Sequence, residues 1–277
     1  MNEGIVDAVE AGVPILYAPG PMMGANSPAT VAGSVVQSYA EVLFGVVLTQ
    51  ILKPGAPIVL KPDTNVFDMA SSQCTYGSPE QSLGKMAMVQ LARHANLPIY
   101  GLGGGVESKV PDAEAAAQAM MSMLLNGLAG MNLNQSLGTL ASGQYGSSEM
   151  AVICDEIAFM IKRVLTGFSV TDDTLAVDVM RQVGHGGTFL DQIHTVQHFR
   201  QELFFPKLFK RQTTQEWQSA GSKMTHEVAH ERVLAILAEA GPVDLPPGAD
   251  AELERALNKA LAETASSPMK QHLEETI

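Results

Sequence analysis

The feature that most constrains this chain is a recurring phrase, a short apolar run entered by proline and left through glycine or proline. Val13-Pro14-Ile15-Leu16-Tyr17 leads into a loop at 18–25, and Ala56-Pro57-Ile58-Val59-Leu60 leads into Lys61-Pro62-Asp63. Leu97-Pro98-Ile99-Tyr100 leads into the glycines at 101–105. Proline is tolerated at the first residue of a strand, where no ladder hydrogen bond is asked of it. An uninterrupted apolar run of four or five residues reads as a strand buried on both faces, as in a parallel sheet. A weaker fourth member lies at 129–135, where Met131 and Leu133 alternate with Asn132 and Asn134.

Helix-length segments with start signals separate these strands. Ser27-Pro28 precedes a helix expected over 29–52, apolar around most of its surface and stopped by Pro54-Gly55. Ser78-Pro79-Glu80-Gln81 reads as a capping box with proline in the first helical position, opening a helix to about residue 95. Asp112 is placed to cap a third helix, with Glu114 in its first turn. Strand and helix alternating at this spacing predict an α/β fold of the (β/α)8 TIM-barrel type, of which the chain supplies the later βα units. From 147 onward the pattern becomes helical, with helices expected over 148–166, 171–183, 190–205, 213–240 and 250–265. The expected organisation is barrel units at 1–146 and a helical C-terminal part of the same domain at 147–277. A proline-containing linker at 241–248 precedes the last helix.

Charge narrows the function classes. Lys and Arg number 17 against 29 Asp and Glu, so the chain lacks the basic footprint of a nucleic-acid binder. The excess is concentrated after residue 110. The long charge-free runs at 11–40 and 115–148 are interrupted by Gly, Pro, Ser, Asn and Gln, and neither is expected to span a membrane. No signal peptide is visible, and two cysteines, Cys74 and Cys154, cannot build a disulfide framework or a four-cysteine zinc site. A soluble, cytoplasmic protein is expected.

Several motifs carry chemistry. Gly101-Leu102-Gly103-Gly104-Gly105-Val106-Glu107-Ser108-Lys109 follows a strand, but the sixth position of a dinucleotide fingerprint is Val106. It reads either as a flexible loop or as a barrel-mouth loop that lets backbone approach a ligand, with Glu107 and Lys109 projecting there. Lys109 beside Glu107 and Asp112 suggests an ion pair before a Schiff base. His194-x3-His198 and His226-x3-His230 have a metal-compatible helical spacing; the first lacks the glutamate of HExxH, while the second carries Glu227 in that position. They are expected to pack or cap, with no metal bound. His185 sits in Val183-Gly184-His185-Gly186-Gly187, a turn needing unusual backbone angles. The aromatic and basic stretch at 199–211 reads as core-capping aromatics with solvated charges, or as a docking patch for an acidic partner. The methionines at 22–23 and at 120, 121 and 123 are expected to fill core gaps.

Taken together, these phrases resemble one family. Gly24-x2-Ser27-Pro28-Ala29-Thr30-x-Ala32-Gly33, Ala40-Glu41, Gln50-x3-Pro54-Gly55-Ala56-Pro57, Gly77-Ser78-Pro79-Glu80, Ser108-Lys109-x2-Asp112 and Asp155-Glu156-Ile157 are similar to the trimethylamine methyltransferase (MttB-like) superfamily. The most specific phrase is Val183-Gly184-x-Gly186-Gly187-x-Phe189-Leu190-x3-His194-Thr195-x2-His198-Phe199-Arg200, followed by Trp217 and Gly221. The resemblance implies a TIM barrel and transfer of a methyl group from a methylated amine to the Co(I) of a corrinoid protein. The cobalamin would come with that partner, since no Asp-x-His-x2-Gly occurs here. It also implies that the chain corresponds to the C-terminal portion of the family's length, with about four strands. Trimethylamine-specific members carry pyrrolysine, sought here around 101–109. Every position in this chain is an ordinary amino acid, so a quaternary amine such as glycine betaine fits better. The expected substrate-binding residues are Asp63, Tyr76, Gly104 and Glu107 at strand ends, with His185 and His194 for a betaine carboxylate. Homo-oligomerisation is expected. The alternative is a truncated, inactive relative that binds an amine or a protein partner.

Overall fold

The computed structural model describes residues 3–241 and 245–265; the expected linker at 241–248 therefore lies partly outside the described residues. In chain order the elements are α1 (Glu3–Ala11), β1 (Ile15–Tyr17), β2 (Met22–Met23), α2 (Val31–Leu52), β3 (Ile58–Leu60), β4 (Asn65–Asp68), β5 (Gln73–Thr75), α3 (Pro79–His94), β6 (Tyr100–Leu102), α4 (Ala113–Ala129), β7 (Leu133–Gln135), β8 (Thr139–Leu140) and β9 (Tyr145–Gly146). Helices follow: α5 (Ser148–Thr166), α6 (Asp172–Leu175), α7 (Val177–Val183), α8 (Ile193–Glu202), α9 (Thr214–Ser219), α10 (Thr225–Glu239) and α11 (Ala249–Ala265). One compact unit runs to Leu234, and a second, from Ala235, contains α11.

The proline-entered runs are the parallel strands. β1 pairs with β3 with Ile15 opposite Ile58, a parallel bridge joins Leu60 to Ile99, and β6 pairs with β7 with Tyr100 opposite Leu133. The four strands are neighbours in chain order with α2, α3 and α4 between them, giving a mixed α/β arc. Among the described residues neither β1 nor β7 has a second partner, and no closed barrel forms. Parallel strands share one carboxyl-terminal rim, which carries two small additions. β2 and β4 pair in parallel and β4 pairs antiparallel with β5, while β8 and β9 form a hairpin.

Packing explains where the elements depart from expectation. α2 begins at Val31 because Thr30 takes the N-cap, accepting from the Gly33 amide at 3.3 Å. α3 starts as expected at Pro79, but its capping box does not close. Ser78 makes no side-chain cap bond, and Gln81 turns inward to Asn65 and the Thr75 carbonyl. The third strand continues through Gly101 to Leu102, with Gly101 beneath Met131, whose Cε would lie 3.0 Å from an added Cβ. The expected helix at 171–183 is broken at Ala176, whose φ is 52°, and that at 213–240 at Gly221 and Ser222, with φ of 92° and 54°.

One core lies between α2, α3 and the sheet, built from Val42, Leu60, Met88, Val89, Ala92 and Ile99. A second joins α4 to α5 through Ala119, Met123, Ile153 and Ile157, and reaches Leu208 and Ala229. α2 is long and apolar enough to cross a membrane by length and composition alone. Its buried face is nevertheless mostly small and polar, with Ser34, Ser38, Gly45 and Thr49 around Val42, while Val36, Phe44, Val47 and Ile51 face outward. The small residues permit close approach, and a Cβ on Gly45 would fall 2.3 Å from the Tyr17 ring of β1.

Helix propensity alone predicts that Gly45→Ala stabilises the chain by about 1 kcal/mol. The contact with Tyr17 reverses the sign: we expect a loss of about 1–3 kcal/mol from overpacking, read from urea midpoints at constant m.

Candidate functional site

The carboxyl-terminal rim of the arc holds a polar layer beneath a cleft. Asp63 follows β3, is buried, and pairs through Oδ2 with Lys61 at 2.7 Å, while its Oδ1 is buried without a hydrogen-bond partner. Thr64 donates its hydroxyl to the Gln81 carbonyl at 3.1 Å. α3 sits tightly on this loop, since a Cβ on Gly84 would be 2.5 Å from Thr64 Oγ1. One turn on from Gln81, Lys85 is fully buried and donates to the Leu102 carbonyl at 3.0 Å. Asn126 of α4 donates to the same carbonyl at 2.9 Å and to Asn134 Oδ1 at 2.7 Å.

Electrostatics show that these groups sense one another. Burial pulls the Lys85 ammonium down to about 7, opposed by the carboxylate of Asp63. Burial pushes the Cys74 thiol up, as do the charges of Asp63 and Glu107. Tyr76 is raised by burial, then by Cys74 and Asp63, and Tyr100 by burial and then by Asp63.

Above this layer the glycine loop is pinned residue by residue. A Cβ on Gly103 would stand 2.4 Å from Asn134 Oδ1. Gly104 has a φ of 94° and donates to Ser122 Oγ at 3.1 Å. Glu107 accepts from the Gly77 amide at 3.3 Å and from Gln118 Nε2 at 3.3 Å, and its own amide donates to Gln118 Oε1 at 2.8 Å. Its carboxylate forms one wall of a cleft of about 360 Å³, lined also by Asp68, Cys74, Lys109, Ser142 and Tyr145. Tyr76 borders the same region, as a Cβ on Gly143 would lie 3.0 Å from its hydroxyl. Lys109 is exposed at the cleft and pairs with neither acidic neighbour: Glu107 is held as above, and Asp112 caps α4 through Ala115 and Ser108.

Asp63, Tyr76, Gly104 and Glu107 are therefore brought to one rim. The two histidines belong to the C-terminal helices. His185 is exposed in the turn after α7, where Gly184 and Gly186 have φ of 68° and 76°. His194 donates to the Asp173 carbonyl at 3.0 Å and stacks on His198. In the second pair, His230 bonds Glu149 at 2.9 Å, which with Ser147 holds that carboxyl at about 2. The stretch at 199–211 is anchored inward: buried Glu156 accepts from the amides of Lys207 and Leu208 at 3.1 and 2.8 Å. Lys207 lies over the Phe159 ring.

Sequence reasoning missed Lys85, Gln81, Asn126 and Asn134. The legible signal was positional. Gln81 and Lys85 continue the face of α3 that buries Met88 and Ala92, so a lysine and a glutamine occupy core positions.

Parallel strands that present a polar-walled cleft at their carboxyl ends define the ligand-binding class of α/β proteins. Within that class the chain belongs to the trimethylamine methyltransferase (MTTB) family, whose family model matches residues 1–265. It is 37% identical over 245 residues to trimethylamine methyltransferase MttB of Desulfitobacterium hafniense (strain DSM 10664 / DCB-2), covering 88% of this chain and 49% of that protein. It is 36% identical over 247 residues to glycine betaine methyltransferase of Desulfitobacterium hafniense (strain Y51), covering 88% and 51%. With trimethylamine methyltransferase MttB of Methanosarcina barkeri the identity is 36% over 236 residues, covering 84% and 47%. The chain spans about half the length of these curated relatives.

Lys85 titrates near pH 7 in the folded chain and near 10.5 as an unperturbed lysine. Between those values the unfolded chain holds more protons, so folding stability rises with pH across that window. Relative to Lys85→Met, the wild type is expected to gain stability from pH 7 to 10, at most about 1.4 kcal/mol per pH unit. Parallel urea curves for the two proteins would contradict this.

Proposed function

We propose that the chain contributes the later βα units of a barrel methyltransferase that takes a methyl group from a quaternary amine such as glycine betaine. The observation that carries this reading is the cleft at the strand ends, lined by Glu107, whose carboxylate is oriented, and by Tyr145, with the Tyr76 ring next to Gly105 and Gly143 in the adjoining loops. A carboxylate and aromatic faces are the groups that attract an onium cation, which has no N–H to donate. The family membership and the printed names of the relatives, trimethylamine and glycine betaine methyltransferases, support the same class.

The chemistry asks little acid–base work of the protein. In a quaternary amine the C–N bond breaks with its electron pair staying on nitrogen, so the leaving group is a neutral tertiary amine. A corrinoid protein is the proposed partner, its Co(I) supplying the electron pair that accepts the methyl group. The residues of this chain bind and orient the amine, which is catalysis by positioning. Glu107, fixed at both oxygens, balances the positive nitrogen, and the glycines at 103–105 let the backbone come close to the ligand. We assign the substrate carboxylate to Lys109, which lines the same cleft as Glu107; His194 is engaged by Asp173. A cytoplasmic, homo-oligomeric protein is part of this reading.

A second reading, an inactive relative that binds an amine or a protein, draws on the edges of β1 and β7, unpaired among the described residues, and on exposed Leu16 and Leu133.

Thermal-shift titration with glycine betaine, carnitine, proline betaine and trimethylamine tests the proposal. Stabilisation that grows with the concentration of a quaternary amine is expected. Glu107→Gln should weaken that binding about tenfold, or ~1.4 kcal/mol. Methyl transfer to Co(I) cobalamin separates the two readings: binding without transfer supports the inactive relative, and a flat response from folded protein overturns the amine site.

A further inference from the structure

Away from the strand-end cleft, α6 and α8 bring together two imidazoles and a carboxylate. His194 and His198 lie one helical turn apart on one face of α8, with ring centroids 4.2 Å apart and planes inclined at 34°. His198 Nε2 stands 3.1 Å from Asp173 Oδ2. His194 Nε2 donates to the backbone carbonyl of the same aspartate at 3.0 Å. One ligand atom from each of the three residues lies within 4.8 Å of the other two. Zinc bonds of 2.0–2.2 Å in a tetrahedron place ligand atoms about 3.3 Å apart, so the His198–Asp173 separation already has coordination spacing.

Two further observations point to a ligand. A cavity of about 470 Å³ opens beside the cluster, lined by Asp172, Asp173, Asp178, Arg181 and His194, which leaves room for solvent in the remaining coordination positions. The helices that carry the cluster also lack apolar anchorage, since α6, α7 and α8 contain no buried residue and the end of α8 is tied to α5 through Arg163 and Glu202. A segment without a core is the kind that a metal staples, because binding energy then substitutes for apolar burial.

We propose that Asp173, His194 and His198 form a binding site for a borderline divalent cation of the Zn2+ or Co2+ type, which ties α6 to α8. Two imidazole nitrogens and one carboxylate suit these ions and not the harder Mg2+ or Ca2+, which prefer oxygen. On binding, His194 gives up its bond to the Asp173 carbonyl and carries its proton on Nδ1, which frees the Nε2 lone pair for the metal.

The test is Co2+ binding to the tag-free full chain, followed by visible absorption and competition with Zn2+. One Co2+ per chain is expected, with a rise in Tm and displacement by one equivalent of Zn2+. His198→Ala and Asp173→Asn should each weaken binding at least about tenfold, and His194→Ala/His198→Ala should abolish it. His226→Ala/His230→Ala should bind as the wild type does. Asp173→Asn keeps the side-chain volume, and far-UV circular dichroism checks that each variant is folded. Failure of the folded wild type to take up stoichiometric Co2+ overturns the site, as does wild-type affinity in the double histidine variant. Neither result bears on amine binding at the strand-end cleft.

Discussion

The carbonyl of Leu102 is the point on which the rim depends. It ends β6 at the place where the chain turns into the glycine loop, and two buried donors hold it, Lys85 from α3 and Asn126 from α4. A buried carbonyl must find partners, and here the partners come from the two helices that flank the strand. The same contact therefore fixes helix to sheet and sets the start of the loop that presents Glu107. The cost is an amine taken out of water, visible in the fall of the Lys85 ammonium to about 7. Asp63 offsets part of that cost from the next strand end.

Polar burial recurs elsewhere for a related reason. α2 packs through Ser34, Ser38, Gly45 and Thr49, so its backbone comes close to β1, and its larger apolar residues are left outside. Gln81 gives up the helix cap that its position suggests and serves the buried layer with Asn65 and the Thr75 carbonyl. In both cases a local preference yields to what the sheet requires. A hydrogen bond made in a dry interior is costly to leave unmade, whereas a cap is readily replaced by water.

Much of the architecture was legible in the sequence. Proline at the head of each apolar run marked the strands, and Asp112 marked the start of α4, because both act locally, proline through its ring and Asp112 through its carboxylate on the Ala115 amide. The candidate site was legible in part. Glu107 and Asp63 stood out as acidic residues in the loops that follow predicted strands, and the structure places both at one rim. Lys85 and Asn126 did not stand out, because each lies mid-helix and reaches its partner across the sheet. The histidines at 185 and 194 were read toward the same ligand as Glu107. They lie in the C-terminal helical part, where His194 meets Asp173 and His198.

By itself the sequence determined the alternation of strand and helix, the parallel pairing it implies, and the family to which the chain belongs. Each of these is written in local signals or in motifs read in order along the chain. Only the tertiary structure decided that Lys85 and Asn126 share one carbonyl, that Gln81 abandons its cap, and that Glu107 is clamped by Gly77 and Gln118. Such contacts join residues far apart in sequence, and which buried donor meets which acceptor is fixed only when the helices pack against the sheet.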